Sequence, residues 1–297
     1  VSEPSTPRSL WGRVLVGLLL ALALTVAALA GLGVEIAGRQ AIADDPRSGE
    51  TATLEEVFDA HDALFGRFVA DDGVDWAGMA GDAASVRALA ALYARSGPEC
   101  GSLGAATAEG ALAFRINAYN ALVALGVVEH WPIASVHDVH GVIDPRPGFG
   151  FFYAQLFVLD RGLTNLYDLE NVIRRSGDAR IHAAIHCASR GCPPLSPTAY
   201  RPETVDAQLE QAAERFTGDP RQVRVDHEAR VVELSSLFEW YRADFEQHAR
   251  AEGELPGVLA WIGRHSLPRV RADIERADRE GYAIRHVPYD WALSSPR

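Results

Sequence analysis

From Val14 to Val34 the chain carries no charged side chain. The run VLVGLLLALALTVAALAGLGV reaches the roughly 20 apolar residues with which an α-helix crosses a bilayer, so it reads as an export signal or a membrane anchor. Arg8 and Arg13 precede it and an acidic, polar stretch follows, which by the positive-inside rule puts residues 1–13 in the cytoplasm and the rest of the chain outside. Ala28-Leu29-Ala30 and Ala41-Ile42-Ala43 are small-x-small sites at which a signal peptidase would release a secreted domain. The run exceeds the about 7 to 15 residues of a secretory core, which favours an uncleaved single-pass anchor over 14–34 in an inner or plasma membrane. A linker over 35–52 then leads into a globular domain over 53–297.

About 250 residues follow the anchor, enough for one domain with a proper core. The chain has no lysine and a net charge of -12, which argues against nucleic acid as a partner, since phosphate neutralisation needs a basic face. The expected partners are the membrane, through the N-terminal helix, and a small-molecule or peptide substrate; no cofactor and no metal are expected.

Hydrophobic spacing supplies the elements. Thr53 is a helix cap with Glu55 and Glu56 behind it, and Leu54, Val57, Phe58, His61, Leu64, Phe65 and Phe68 recur at helical spacing. A second helix spans 86–94 and ends at Gly97-Pro98; the longest pattern runs from Thr107 to Trp131, with Leu112, Ile116, Tyr119, Val123 and Val127 as one stripe. Phe151 to Leu159 turning at Asp160-Arg161-Gly162 predicts a hairpin. Helices are predicted near 166–175 and 202–216, strands at 223–226 and 230–234, a helix after Ser235 or Ser236, two short helices around Ala260 and Ala272, and a last extended run over 282–289. The fold class is α+β: mostly helical, with a small antiparallel sheet and one N-terminal transmembrane helix.

The segment Asp178 to Leu195, DARIHAAIHCASRGCPPL, concentrates the chemistry. If 179–187 is helical, Asp178, His182 and His186 fall on one face; as a strand, the two histidines still share one. Metal binding would take Cys187 or Cys192 as a third ligand, but the paired CxxC spacing of strong zinc sites is missing. A disulfide between Cys187 and Cys192, leaving Cys100 unpaired, suits an oxidising compartment. A thiol nucleophile with His182 as base is the third alternative. Pro193-Pro194 weighs against Cys192 in that role, because no helix begins at its sulfur.

Asn117 and Asn120 lie about 60° apart on the long helix, on an alanine-rich face that admits another segment closely. They either orient a histidine or substrate carbonyl, or satisfy backbone groups of a neighbouring loop. Asp244 falls amid Leu237, Trp240 and Tyr241 and is expected to be buried, needing a donor such as His182, Arg175 or loop amides. The histidines at 61, 130, 137, 140, 227, 248, 265 and 286 have no companion pattern and are expected to be surface or core residues.

FRINAYNALV, HWPIASV, LTNLYDLENVIRR, RIHAAIHCASRGCPPLSPTAY and LFEWYRADF, with GRFVADDGVDWAGM before them and VPYDWAL after, resemble the domain of unknown function 547 family. The resemblance covers nearly everything after the linker. It implies that Asn117, Asn120, Glu170, His182, Cys187, Cys192 and Asp244 are the recurring polar positions. It also marks Asn171 as a departure, since many members have histidine there, and Cys187 with His182 as the more general pair, since plant members often lack the second cysteine. Two functions follow as expectations. One is a thiol-dependent hydrolase or acyl transferase, with Cys187 or Cys192 as nucleophile, His182 as base, and Asn117, Asn120 or Asp244 as orienters. The other is a non-catalytic extracytoplasmic binding module braced by a Cys187–Cys192 disulfide.

Overall fold

The computed structural model describes residues 18–22, 50–140, 144–255 and 257–296. Apart from residues 18–22, which are helical with Leu18, Leu19, Leu20 and Leu22 exposed, the expected anchor lies outside the described residues, as do Arg8, Arg13, both small-x-small sites and the linker up to Gly49.

The first half is helical. α1 (Leu54–Phe68) begins at a capping box: Thr53 Oγ1 accepts from the Glu56 N–H at 3.2 Å, and Glu56 accepts from the Thr53 N–H at 2.8 Å. A two-residue hairpin, β1 (Val69–Ala70) with β2 (Gly73–Val74), leads into α2 (Trp76–Gly81) and α3 (Ala83–Ala94). α4 (Ala108–Glu129) is buried on every side rather than along one stripe. It is the described helix long and apolar enough to cross a membrane, and it forms the centre of the first core. Its small residues allow the all-round contact. At Gly126 a Cβ would lie 3.0 Å from the Phe151 ring, so the bare backbone is what seats that ring.

Phe151 does not enter a strand. Residues 150–154 form one wide helical turn, closed by Gln155 N–H on Gly150 O at 3.1 Å, which turns Phe151 onto α4. The hairpin is shorter than its aromatic run suggests: β3 (Phe157–Leu159) pairs with β4 (Gly162–Thr164). Asp160 and Arg161 both take positive φ, 51° and 62°, as a two-residue hairpin turn with right-handed strand twist demands. α5 (Leu166–Arg174) then starts at Asn165, whose side chain accepts from the Asp168 N–H.

The second half packs a separate cluster of apolar side chains. α6 (Val205–Gly218) precedes β5 (Val223–Asp226) and β6 (Val231–Ser235), an antiparallel pair in the register Val223↔Leu234. Four helices follow: α7 (Leu237–Trp240), α8 (Arg242–Ala251), α9 (Val258–Arg264) and α10 (Pro268–Arg279). Because they carry the chain back along the sheet, β7 (Ala283–Val287) joins β6 in parallel, a pairing that needs such a crossover. Phe216, Phe238, Phe245 and Trp261 fill the space between this sheet and its helices.

Residues 179–188 are shared by the two cores. Ala179 and Ala183 belong to the second cluster, while Ile181, Ala184, Ile185 and Ala188 belong to the first. This segment is neither the helix nor the strand that its spacing allowed. It is a 3₁₀ turn over Ala179–Ala183 followed by irregular backbone, so His182 and His186 do not share a face.

Candidate functional site

α4 supplies the rigid wall of the site. Asn117 Nδ2 donates to Tyr200 O at 2.9 Å and its Oδ1 accepts from the Tyr200 N–H at 2.8 Å. Asn120 Nδ2 donates to Ala184 O at 3.0 Å and its Oδ1 accepts from the His186 N–H at 2.9 Å. Each carboxamide thus stands in for one rung of a β-ladder, holding an irregular chain that has no sheet of its own. All four amide atoms are spent on backbone. Neither residue orients a histidine ring.

His182 is held from the second core. Its Nε2 donates to Asp244 Oδ2 at 2.8 Å, and its ring stacks on Tyr241 with centroids 4.0 Å apart. Asp244 also accepts both arms of the Arg174 guanidinium, Nε at 2.7 Å and Nη2 at 3.0 Å. The arginine is Arg174 and not Arg175, because α5 turns Arg174 toward α8 and leaves Arg175 exposed. Asn171 completes the chain by accepting from Arg174 Nη1 at 3.1 Å. Burial alone would raise the Asp244 carboxyl, but the His182 and Arg174 hydrogen bonds and charges hold it well below the usual carboxylate range. Asp244 is only partly buried, contrary to its place among apolar neighbours in the sequence. The run 237–251 is broken at Tyr241 into α7 and α8, and the break rotates Asp244 off the apolar face.

Cys187 and Cys192 form a bridge with Cα atoms 6.3 Å apart. Cys187 is partly exposed and Cys192 buried. The Cys187 N–H donates to Cys192 Sγ at 3.0 Å, and the Tyr289 hydroxyl lies 3.0 Å from both sulfurs, the donor to each since neither carries hydrogen. The loop between the cysteines is fixed by the C-terminal segment: Arg190 N–H donates to Ala292 O, Gly191 N–H to Asp290 O, and Ser294 N–H to Ala188 O. The Tyr289 ring passes close over Gly191. A Cβ there would lie 2.8 Å from the phenol ring. No contact joins His182 to either sulfur among the hydrogen bonds of the site; its Nε2 is committed to Asp244.

Glu170 lies on α5 one turn before Arg174 and accepts from the Tyr241 hydroxyl. Its charge reaches four phenols. Tyr119, Tyr241 and Tyr289 are raised first by burial and then by Glu170; Tyr153 is raised by burial, with a smaller contribution from Glu170. At neutral pH every one of them is therefore a hydrogen donor. Around this centre run two groups of rings: Phe149, Tyr153 and Tyr167 on one, with Tyr153 and Tyr167 stacked at 4.4 Å, and Trp240, Tyr289 and Trp291 on the other, with Tyr289 and Trp291 4.6 Å apart. Trp240 and Tyr167 are about half exposed. The tyrosines were not singled out from sequence as site residues, since each sits in an apolar pattern that a core residue also satisfies.

The buried histidines divide. His186 Nδ1 donates to Pro193 O at 2.7 Å and Nε2 accepts from Ser294 Oγ at 2.8 Å; burial lowers it to about 4. A cavity of about 250 Å³ borders His186, Cys192, Arg190, Arg221, Asp72 and Asp290. His248, Glu252 and His265 form the group whose ligand atoms, within 4.8 Å of one another, have metal-site spacing among the described residues. That group is already satisfied: His248 Nδ1 accepts from Trp261 Nε1–H, and the two His265 nitrogens face Glu210 and Glu252. Its members come from the C-terminal end of α8 (His248 and, just past it, Glu252) and from the turn after α9 (His265), with no local signature in the sequence.

A family model described as "Protein of unknown function, DUF547" matches residues 103–217, from the turn before α4 to the end of α6. This interval contains Asn117, Asn120, Glu170, His182, Cys187 and Cys192, and stops short of Asp244 and Tyr289. No curated protein and no solved structure matches the chain.

Proposed function

We propose, from the match of residues 103–217 to the DUF547 family model, that this chain is a member of that family and a membrane-anchored binding module working outside the cytoplasm. In this reading the Cys187–Cys192 disulfide braces the ligand-facing loop. The observation that carries it is the engagement of the candidate nucleophile: the two sulfurs are bonded to each other, and no hydrogen bond among the described residues joins His182 to either. A thiol-dependent hydrolase needs a free thiolate within reach of its base. The binding face is the surface around Glu170, where half-exposed Tyr167 stacks on Tyr153 and half-exposed Trp240 packs on Tyr289, the phenol that touches the bridge. Aromatic surfaces beside a carboxylate suit a small molecule or a peptide with an apolar body and a polar or cationic end. The location outside the cytoplasm rests on the arginine-flanked apolar run over 14–34.

Thiol counting on exported protein, alkylated in denaturant without reductant, tests the bridge; one thiol, Cys100, is expected. Three thiols, with Cys187 labelled by an acyl-directed electrophile in a His182-dependent manner, would replace this reading with the hydrolase. A reporter fused after Ser48 that is active only in the cytoplasm would overturn the location.

A further inference from the structure

We propose that the Cys187–Cys192 bridge is an exchangeable disulfide, at which a thiol-bearing partner of the domain is oxidised. The inference rests on the reading above in one respect, that the bridge is formed in the exported protein. It goes beyond that reading by giving the bridge a reaction and the ligand a chemical class.

The two sulfurs are not equivalent. Cys187 belongs to a partly exposed residue and Cys192 to a buried one, so an incoming thiolate has access to Cys187 Sγ. Attack there makes Cys192 the leaving group. Two donors already point at Cys192 Sγ: the Cys187 backbone N–H at 3.0 Å and the Tyr289 hydroxyl at 3.0 Å. A neutral disulfide sulfur accepts hydrogen bonds weakly, whereas a thiolate accepts them strongly, so both contacts strengthen as charge develops on Cys192. Tyr289 is kept as a donor by its surroundings, since burial and the negative charge of Glu170 oppose its ionisation. The aromatic ring is pressed against the loop at Gly191, which fixes the hydroxyl between the sulfurs.

The step balances without an outside reagent. The partner's thiolate forms a bond to Cys187 Sγ while the Cys187–Cys192 bond breaks, and the electron pair leaves on Cys192. A second thiolate of the partner then attacks the partner sulfur of the mixed disulfide and releases Cys187 as thiolate. The partner's two thiols end as a disulfide, the protein's bridge ends as two thiols, and the two protons pass from the partner's thiols to the protein's. Each domain performs this once; a further round requires an external disulfide to re-form the bridge by the reverse exchange.

The test uses the full-length chain in detergent with reduced glutathione as the thiol probe. Alkylation in denaturant after an acid quench should count one thiol before glutathione and three after it. With oxidised glutathione in place of the reduced form, Cys192→Ser should exchange onto it and retain one glutathione on Cys187, releasing the other as thiol, and Cys187→Ser should retain none. Tyr289→Phe should form the bridge but lose it about tenfold more slowly, the worth of one hydrogen bond to a charged sulfur. A merely looser loop would be reduced faster. A bridge that glutathione opens only after denaturation would overturn exchange while leaving the binding module standing, and so would an unchanged or faster rate in Tyr289→Phe. Three thiols before any reductant would overturn both. If Cys192→Ser does not fold, the thiol count and the Tyr289→Phe rate on the bridged chain decide alone.

Discussion

Asn120 joins two buried backbone groups that have no other partner among the described residues: it donates to Ala184 O and accepts from the His186 N–H. Asn120→Ala should therefore cost about 2 to 3 kcal/mol in denaturant unfolding, because both groups stay buried and unpaired. A loss under about 0.5 kcal/mol would mean that the loop had found other partners. Asp244→Ala removes the shared acceptor of Arg174 and His182, and a loss of about 1 to 3 kcal/mol is expected. Acid should destabilise the domain for a separate reason. Burial lowers His186 from 6.5 to about 4, and burial with the nearby Arg201 charge lowers His61 to about 3. The unfolded chain takes up these protons near pH 6.5 and the folded chain does not, so stability falls as pH drops below 6.5. The slope is about 1.4 kcal/mol per pH unit for each histidine. The His186 contribution levels off near pH 4 and that of His61 near pH 3. His186→Gln should flatten the upper part of a stability profile measured between pH 7 and 4. The polar residues of the site were legible because polar groups on apolar or small-residue faces demand partners. Tyr289 was not, since a tyrosine in an extended C-terminal run carries no such contradiction.

Among the elements, helices with a clear apolar spacing were legible to within a few residues, as α1, α3, α5 and α10 are. The breaks were harder. Nothing in LFEWYRADF announces that Tyr241 leaves the helix, with φ -108° and ψ 22°, yet that break positions Asp244 against Arg174 and His182. The 179–188 segment defeated both periodicities because tertiary hydrogen bonds from α4, not local propensity, hold it. Parallel addition of β7 was equally hidden, since it depends on where four helices return the chain. At the start of α1, Thr53→Ala should cost about 1 kcal/mol by removing one half of the capping box. At the loop, Gly191→Ala would force the Tyr289 ring away from a Cβ otherwise 2.8 Å distant. It should lower the melting temperature and expose the bridge to solvent, read as a change in tyrosine and tryptophan fluorescence.

The whole domain has two apolar clusters, but its chain does not cross between them at a linker. Residues 179–188 alternate their side chains between the clusters, so neither half can be opened without stripping the other. Far-ultraviolet dichroism and tryptophan fluorescence should accordingly report one coincident unfolding transition. Two separated transitions would assign the halves to independent units. α4 has a consequence that reaches beyond the folded state. Unfolded, Ala108–Glu129 is a stretch long and apolar enough to cross a bilayer, and only folding hides it. Asn117 and Asn120, near its middle, would have to enter hydrocarbon with their amides unpaired. The same two side chains that secure the finished loop thus act on the nascent polypeptide as a deterrent to lipid, keeping a would-be span out of the membrane until it has a protein interior to occupy.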